Sequence, residues 1–292
     1  DLHYPLRRQR QMCIRDRLIS VSEKKELINS LSKMKFKEQI LIGPSCNSLR
    51  ETINIMNYAV QKGMKNFLVM NPAYYKNNDN GVYNFYSNII KSVPEARIVL
   101  YNFSNLSGYA FSHEVTTRLI KDFSQIVGMK DSTGNLWNNF KAKNFSMFVG
   151  SEKKLIDNLK IGGAGSISAT SNFSGSLAKN VYDDYFRSGS SSQNKKLQDI
   201  RTAFDETGNL ISALHTLKSL ENKAYANLPP PLELLNNMKK EELIKVSNDI
   251  QQTLQKFYRT EVDVTQSIGK RYRRQDAVSY THLRAHETEA DL

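Results

Sequence analysis

The sequence predicts an α/β fold built on a parallel sheet, and three observations carry that prediction. Short apolar runs recur along the chain, ending near residues 42, 70, 101, 129, 149 and 169. Segments with apolar residues at helical spacing lie between them. No antiparallel hairpin signal joins any two runs, so each successive strand returns through a helix and lies parallel to the last.

In chain order, Ser22 is placed to cap a first helix with Glu23 in its first turn and Leu27, Ile28 and Leu31 on its apolar side. A strand over 39–43 follows. Ser48-Leu49-Arg50-Glu51 reads as a capping box, opening a helix with Leu49, Ile53, Met56 and Val60 on one face and Gly63 at its end. Strand 67–70 runs into Asn71-Pro72-Ala73-Tyr74-Tyr75, and a helix is expected after Gly81. Strand 98–102 precedes a helix presenting Val115, Leu119 and Phe123. Strand 126–130 precedes a helix expected near Asn135. Strand 147–150 is followed by a helix over 152–161, and the small residues of 164–169 form the last strand. Beyond Gly189 the pattern is helical to about Tyr258, interrupted by Leu228-Pro229-Pro230-Pro231.

The strands end in Asn, Pro, Tyr, Lys and Ser, while their beginnings carry no chemistry. That asymmetry points to an α/β barrel, a (β/α)8-type (TIM) fold whose site lies at the C-terminal ends of the strands. The rival is an open doubly wound sheet, but no Gly-x-Gly-x-x-Gly turn supports a dinucleotide site. The expected organisation is a non-native or disordered leader over 1–17, a partial barrel over 18–188, C-terminal helices over 189–260 and a disordered or non-native tail over 261–292. Met12-Cys13-Ile14-Arg15-Asp16-Arg17 and the 278–286 segment are unlike the rest of the chain and resemble translated adaptor sequence; a natural basic arm is the alternative.

Net charge is +12 over 292 residues, but the arginines crowd the leader and the tail. Elsewhere the lysines are scattered, with no basic stripe interleaved with aromatics, so no nucleic-acid partner is expected. No apolar run approaches the roughly 20 residues of a membrane span, and no membrane partner is expected. Cys13 and Cys46 provide no disulfide framework, which fits a reducing, cytoplasmic location. His282 and His286 lie in the tail and receive no metal assignment; neither metal nor other cofactor is expected.

Two strand ends carry the chemistry. Ile126-Val127-Gly128-Met129 ends in Lys130, and Ile98-Val99-Leu100 ends in Tyr101. A lysine closing an apolar strand sits among desolvating neighbours, which favour the neutral amine that attacks a carbonyl. A tyrosine beside it can carry protons during imine formation and carbon–carbon bond cleavage.

With Tyr101-Asn102 followed by Gly128-Met129-Lys130, the chain resembles the dihydrodipicolinate synthase/N-acetylneuraminate lyase family of class I aldolases, over about 21–258. Members carry Tyr-Asn-x-Pro at the end of the fifth barrel strand and Gly-x-Lys at the end of the sixth. The resemblance implies an imine at Lys130, proton transfer by Tyr101, and a homo-oligomer, dimer or tetramer, in which Tyr74 reaches a neighbouring subunit's site. It further implies that Ser132, Gly150 and Glu152 meet substrate and that Ile167 lies near the pyruvate carboxylate.

Six strands are counted, corresponding to the family's strands three to eight. The family's Gly-Thr-Thr-Gly-Glu loop would fall at about 13–17, where nothing matches. The expectation is therefore an N-terminally incomplete barrel, inactive if the loop is absent. Where synthases place a carboxylate-gripping arginine, the count from Tyr101 lands on Leu106, as in the neuraminate lyases. The expected reaction is cleavage or formation of a 4-hydroxy-2-oxo acid from a 2-oxo acid and an aldehyde. Alternatives on the same scaffold are a 4-hydroxy-tetrahydrodipicolinate synthase or a sugar-acid dehydratase, and, in another class, a non-catalytic sugar-acid-binding barrel.

Overall fold

The computed structural model describes residues 19–245. The leader and tail expectations, and the C-terminal helices past 245, lie outside the described residues. Six parallel strands form one curled sheet in sequential order: β1 (Leu41–Ile42), β2 (Asn66–Val69), β3 (Arg97–Asn102), β4 (Ile126–Asp131), β5 (Ser146–Val149) and β6 (Gly165–Ser166). Helices α1 (Val21–Leu31), α2 (Leu49–Gln61), α3 (Asp79–Ser92), α4 (His113–Asp122) and α5 (Leu155–Lys160) alternate with them. Beyond β6 come α6 (Ser171–Ser188), α7 (Asn194–Glu206) and α8 (Leu210–Glu221).

The helix starts follow their caps. Ser20, not Ser22, caps α1: its hydroxyl accepts from the Glu23 amide and its own amide donates to the Glu23 carboxylate, the reciprocal pair that only a residue three positions before the glutamate can form. Ser48 caps α2 by accepting from the Glu51 amide, half of the expected capping box, and the fully buried face is Thr52, Ile55, Met56 and Ala59, with Leu49, Ile53 and Val60 at its margins. Asn78 accepts from the Gly81 amide and starts α3 two residues before that glycine. The helix expected near Asn135 is absent. Residues 132–145 form turns instead, because the Asp131 carboxylate gathers the amides of Gly134, Leu136 and Trp137 at 2.8–2.9 Å. Gly134 there adopts φ +92°, outside any right-handed helix. The last strand is two residues long rather than 164–169, and β1 is shortened by a 3-10 turn over Lys37–Gln39.

Strand alternation sorts the core. Phe67, Val69, Ile98, Leu100, Met129 and Met147 face the helices in the main cluster. Leu68, Met70, Val99 and Tyr101 face inward, with Val127, Phe148 and Ile167 packed on them. A third cluster joins α5 to α6, α7 and α8 through Leu159, Val181, Ile200, Phe204 and Leu214.

One irregularity places the chemistry. Ile98 pairs with Ile126, but Val99 pairs with Gly128, so β4 carries an extra residue at this point. From there Tyr101 faces Lys130 and Asn102 faces Asp131. Without the shift Tyr101 would pair with Met129, whose side chain points to the helices. Glycine at 128 suits the spot, since a Cβ there would lie 2.5 Å from the Ser146 carbonyl oxygen.

Candidate active site

The Lys130 Nζ lies 4.1 Å from the centroid of the Tyr101 ring. Lys130 is 5% exposed and Tyr101 3% exposed, so both side chains are held away from bulk water. Phe103 adds a second ring, 6.0 Å from that of Tyr101.

The residue after each of these two does the anchoring. The Asn102 side-chain amide donates to Asp131 at 2.9 Å and to Asn135 at 2.8 Å. Its oxygen accepts from the Phe111 amide at 3.1 Å and the Thr133 hydroxyl at 3.3 Å. Its backbone carbonyl receives the amides of Ser132 and Thr133. Asn102 and Asp131 are both buried, and each bond satisfies a group that would otherwise be stranded. Together they tie the ends of β3 and β4, and the loops beyond them, into one piece.

The remaining residues named from the sequence occupy neighbouring strand ends. Ser132 is half-buried and packs on Gly150: a Cβ at 150 would lie 2.1 Å from the Ser132 hydroxyl oxygen. Gly150 donates its amide to the Asp131 carbonyl at 3.2 Å. Ile167 bonds back to Val149 and packs on the inner cluster. Glu152 is fully buried, and its oxygens accept from Ser168 and Thr170 at 2.6 Å and from Ser171 and Arg201 at 3.1 Å. Leu106, 42% exposed, lies on a single helical turn, Ser104–Ser107, that closes at Gly108 with φ +68°. Tyr74 and Tyr75 are 89% and 76% exposed, stacked edge to face at 5.1 Å, with Tyr74 at φ +83°. Thus Lys130 and Tyr101 are brought into contact, Ser132, Gly150 and Ile167 stand on adjoining strand ends, and Tyr74 and Leu106 project outward.

Below the β3 loop, Tyr109 donates to Asp79 at 2.6 Å, and Ser112 donates to the other oxygen of the same carboxylate. Burial first, then the hydrogen bond to Asp79 and its charge, pushes the Tyr109 phenol well above its usual range. This braces the loop carrying Leu106 against α3.

Sequence reasoning missed Asn102, Asp131 and Arg201. A polar pair following the two strand ends is a usable signal for the first two. Arg201 carries none, since Arg201 and Asp205 at i and i+4 look like a surface helix pair.

A parallel barrel-type sheet thus brings a buried lysine and a buried tyrosine side by side at its C-terminal face, the face that carries the sites of (β/α) barrels. The chain belongs to the dihydrodipicolinate synthetase family, whose model matches residues 16–252. It is 32% identical over 151 residues to a probable 2-dehydro-3-deoxy-D-pentonate aldolase of Escherichia coli, covering 49% of this chain and 50% of that protein. It is 26% identical over 160 residues to a 4-hydroxy-tetrahydrodipicolinate synthase of Thermus thermophilus, covering 53% and 54%. The chain therefore spans about half the length of these curated relatives. Among solved structures, the 4-hydroxy-tetrahydrodipicolinate synthase of Methylacidiphilum fumariolicum SolV superposes with TM-score 0.73 at 22% identity over 82% of each chain. A Ruminococcus gnavus sialic acid aldolase, a catalytic lysine mutant, superposes with TM-score 0.73 at 17% identity over 82% of each. Those two likenesses carry the fold.

Proposed function

We propose that this protein is a class I aldolase that cleaves or forms a 4-hydroxy-2-oxo acid through an imine on Lys130. The observation that carries the reading is the contact between Lys130 and Tyr101, two buried reactive side chains paired across β3 and β4. In cleavage the Lys130 amine attacks the C2 carbonyl, and the carbinolamine loses water to give the protonated imine. That imine takes up the electron pair as the C3–C4 bond breaks and the 4-hydroxyl gives up its proton, releasing an aldehyde. The enamine left behind is protonated at C3, and water returns pyruvate and the lysine amine. Tyr101 carries protons to and from the carbinolamine and the 4-hydroxyl. Ser132, Gly150, Ile167 and the loop held by Glu152 form the wall beside Lys130.

Two further features support the reading. Leu106 offers no donor for a second carboxylate, so a polyol aldehyde suits the site better than an acidic one. Exposed aromatics such as Tyr74 fit a role in the site of a second copy, in a homo-oligomer. The aldolase name of the Escherichia coli relative points to sugar-acid substrates. The test is release of pyruvate from 2-dehydro-3-deoxy-D-pentonate and related 4-hydroxy-2-oxo acids. Release that disappears in Lys130→Ala supports the reading; efficient condensation of pyruvate with aspartate semialdehyde and no aldol cleavage would replace it with the synthase reaction.

A further inference from the structure

The helices beyond the sheet place one guanidinium between two strand ends. The Arg201 side chain, on α7, is 12% exposed. Its Nη1 donates to the Gly150 carbonyl at 3.2 Å, to Glu152 Oε2 at 3.1 Å and to the Ser168 hydroxyl at 3.0 Å. These partners lie 51, 49 and 33 positions earlier in the chain, on the loops after β5 and β6. Its Nε donates to Asp205 at 2.8 Å, and the other Asp205 oxygen meets Lys153 at 2.9 Å. One turn earlier, Gln198 donates to the Lys153 carbonyl at 2.9 Å. Gln198, Arg201 and Asp205 are spaced i, i+3 and i+7, so a single stripe of α7 grips the 150–153 loop.

Stability alone is a weak reason for such an arrangement. Glu152 is fully buried, and desolvating an arginine–carboxylate pair often cancels its own attraction. What the pair supplies is geometry: a planar fork that fixes several acceptors at once. The consequence travels through Gly150, whose backbone rests against Ser132, two residues past Lys130.

We propose that Arg201 is a positioning residue: it locks the β5 and β6 loops together and so sets the wall beside Lys130. This rests on the reading of Lys130 as the imine-forming residue. The Lys130–Tyr101 pair is held separately, by Asn102 and Asp131, so loss of Arg201 loosens substrate binding without disabling the amine.

The experiment compares the full chain with Arg201→Ala and Arg201→Lys by peptide hydrogen exchange and by borohydride trapping of pyruvate. Arg201→Lys keeps a positive charge opposite Glu152 and guards against a variant that does not fold, but its ammonium ends one bond short of the Nη1 position. In Arg201→Ala, exchange rises about tenfold or more over 146–153 and 165–171 and stays unchanged over 97–102 and 126–131. Half-saturating pyruvate rises about tenfold, while the maximal trapping rate holds within about threefold. Arg201→Lys recovers part of both effects. Unchanged exchange in the two loops, exchange raised equally across β3 and β4, or a fall in maximal rate with unchanged half-saturation would overturn the proposal. Absence of trapping both in the parent chain and in one given the family's Gly-Thr-Thr-Gly-Glu loop would remove the imine reading, and the exchange data would still decide whether Arg201 holds the loops.

Discussion

Asn102 donates to Asp131 at 2.9 Å, and the two residues immediately before them, Tyr101 and Lys130, stand side by side. The buried amide–carboxylate contact is thus the fastener for the reactive pair. Asp131 also accepts from three backbone amides, so Asp131→Ala strands four donors. Hydrogen bonds to a charged group contribute about 1.5–3 kcal/mol each, and a stranded buried donor costs about as much. A loss of at least about 3 kcal/mol in denaturant unfolding is expected. Asn102→Asp, which places a second carboxylate against Asp131, should also be destabilised; unfolding curves matching the parent for both would show that the contact carries no weight.

Tyr101→Phe keeps the ring against Lys130 and removes the hydroxyl. Turnover is expected to fall roughly 10²–10⁴-fold, the range for a lost proton carrier, with a much smaller change in pyruvate binding. Near-normal turnover in steady-state assays would leave Tyr101 as packing.

The proposed function gives Leu106 a part in the choice of second substrate. Leu106→Arg supplies the missing donor, and a charge-assisted hydrogen bond of about 1.5–3 kcal/mol corresponds to roughly a 10–100-fold gain in affinity for an acidic aldehyde. Competition between aspartate semialdehyde and a neutral hydroxyaldehyde measures it. An unchanged preference would place this residue outside the substrate's reach.

Alkaline pH should weaken the fold through Tyr109 and Tyr86. Burial raises both phenols, with Asp79 adding to Tyr109. Both are protonated in folded and unfolded chains below about pH 10. As pH rises further, the unfolded chain ionises first, so the unfolded state gains and stability falls. Tyr109→Phe removes one of the two groups, and its denaturation midpoint should decline less steeply between about pH 9.5 and 11. An identical slope would mean that Tyr109 ionises as readily in the folded protein.

The parallel order of six strands was legible because apolar runs and helical spacing alternate over most of the described chain, and the family resemblance is matched over 16–252. Lys130 and Tyr101 were legible as strand ends. What brings them together was not: the extra β4 residue between Ile98 and Val99 pairing is a property of the backbone, and Val127-Gly128 reads as ordinary strand. The helix expected near Asn135 failed for a related reason. Asp131 uses its carboxylate to organise a turn, a tertiary choice that outweighs the strand-then-helix alternation read along the rest of the chain. Arg201 was illegible because three of its four partners lie 33 or more positions away, and the fourth, Asp205, reads as an ordinary surface helix pair.

The measurement closest to the central claim is reductive trapping. The full chain, and a version given the family's Gly-Thr-Thr-Gly-Glu loop ahead of α1, are incubated with pyruvate and borohydride, digested, and the modified peptide located by mass spectrometry. One labelled site is expected, Lys130, carrying the mass of pyruvate less one water plus two hydrogens. No label is expected in Lys130→Arg, whose guanidinium stays protonated and is no nucleophile near neutral pH. Label on another lysine, or undiminished label in Lys130→Arg, would contradict an imine at Lys130.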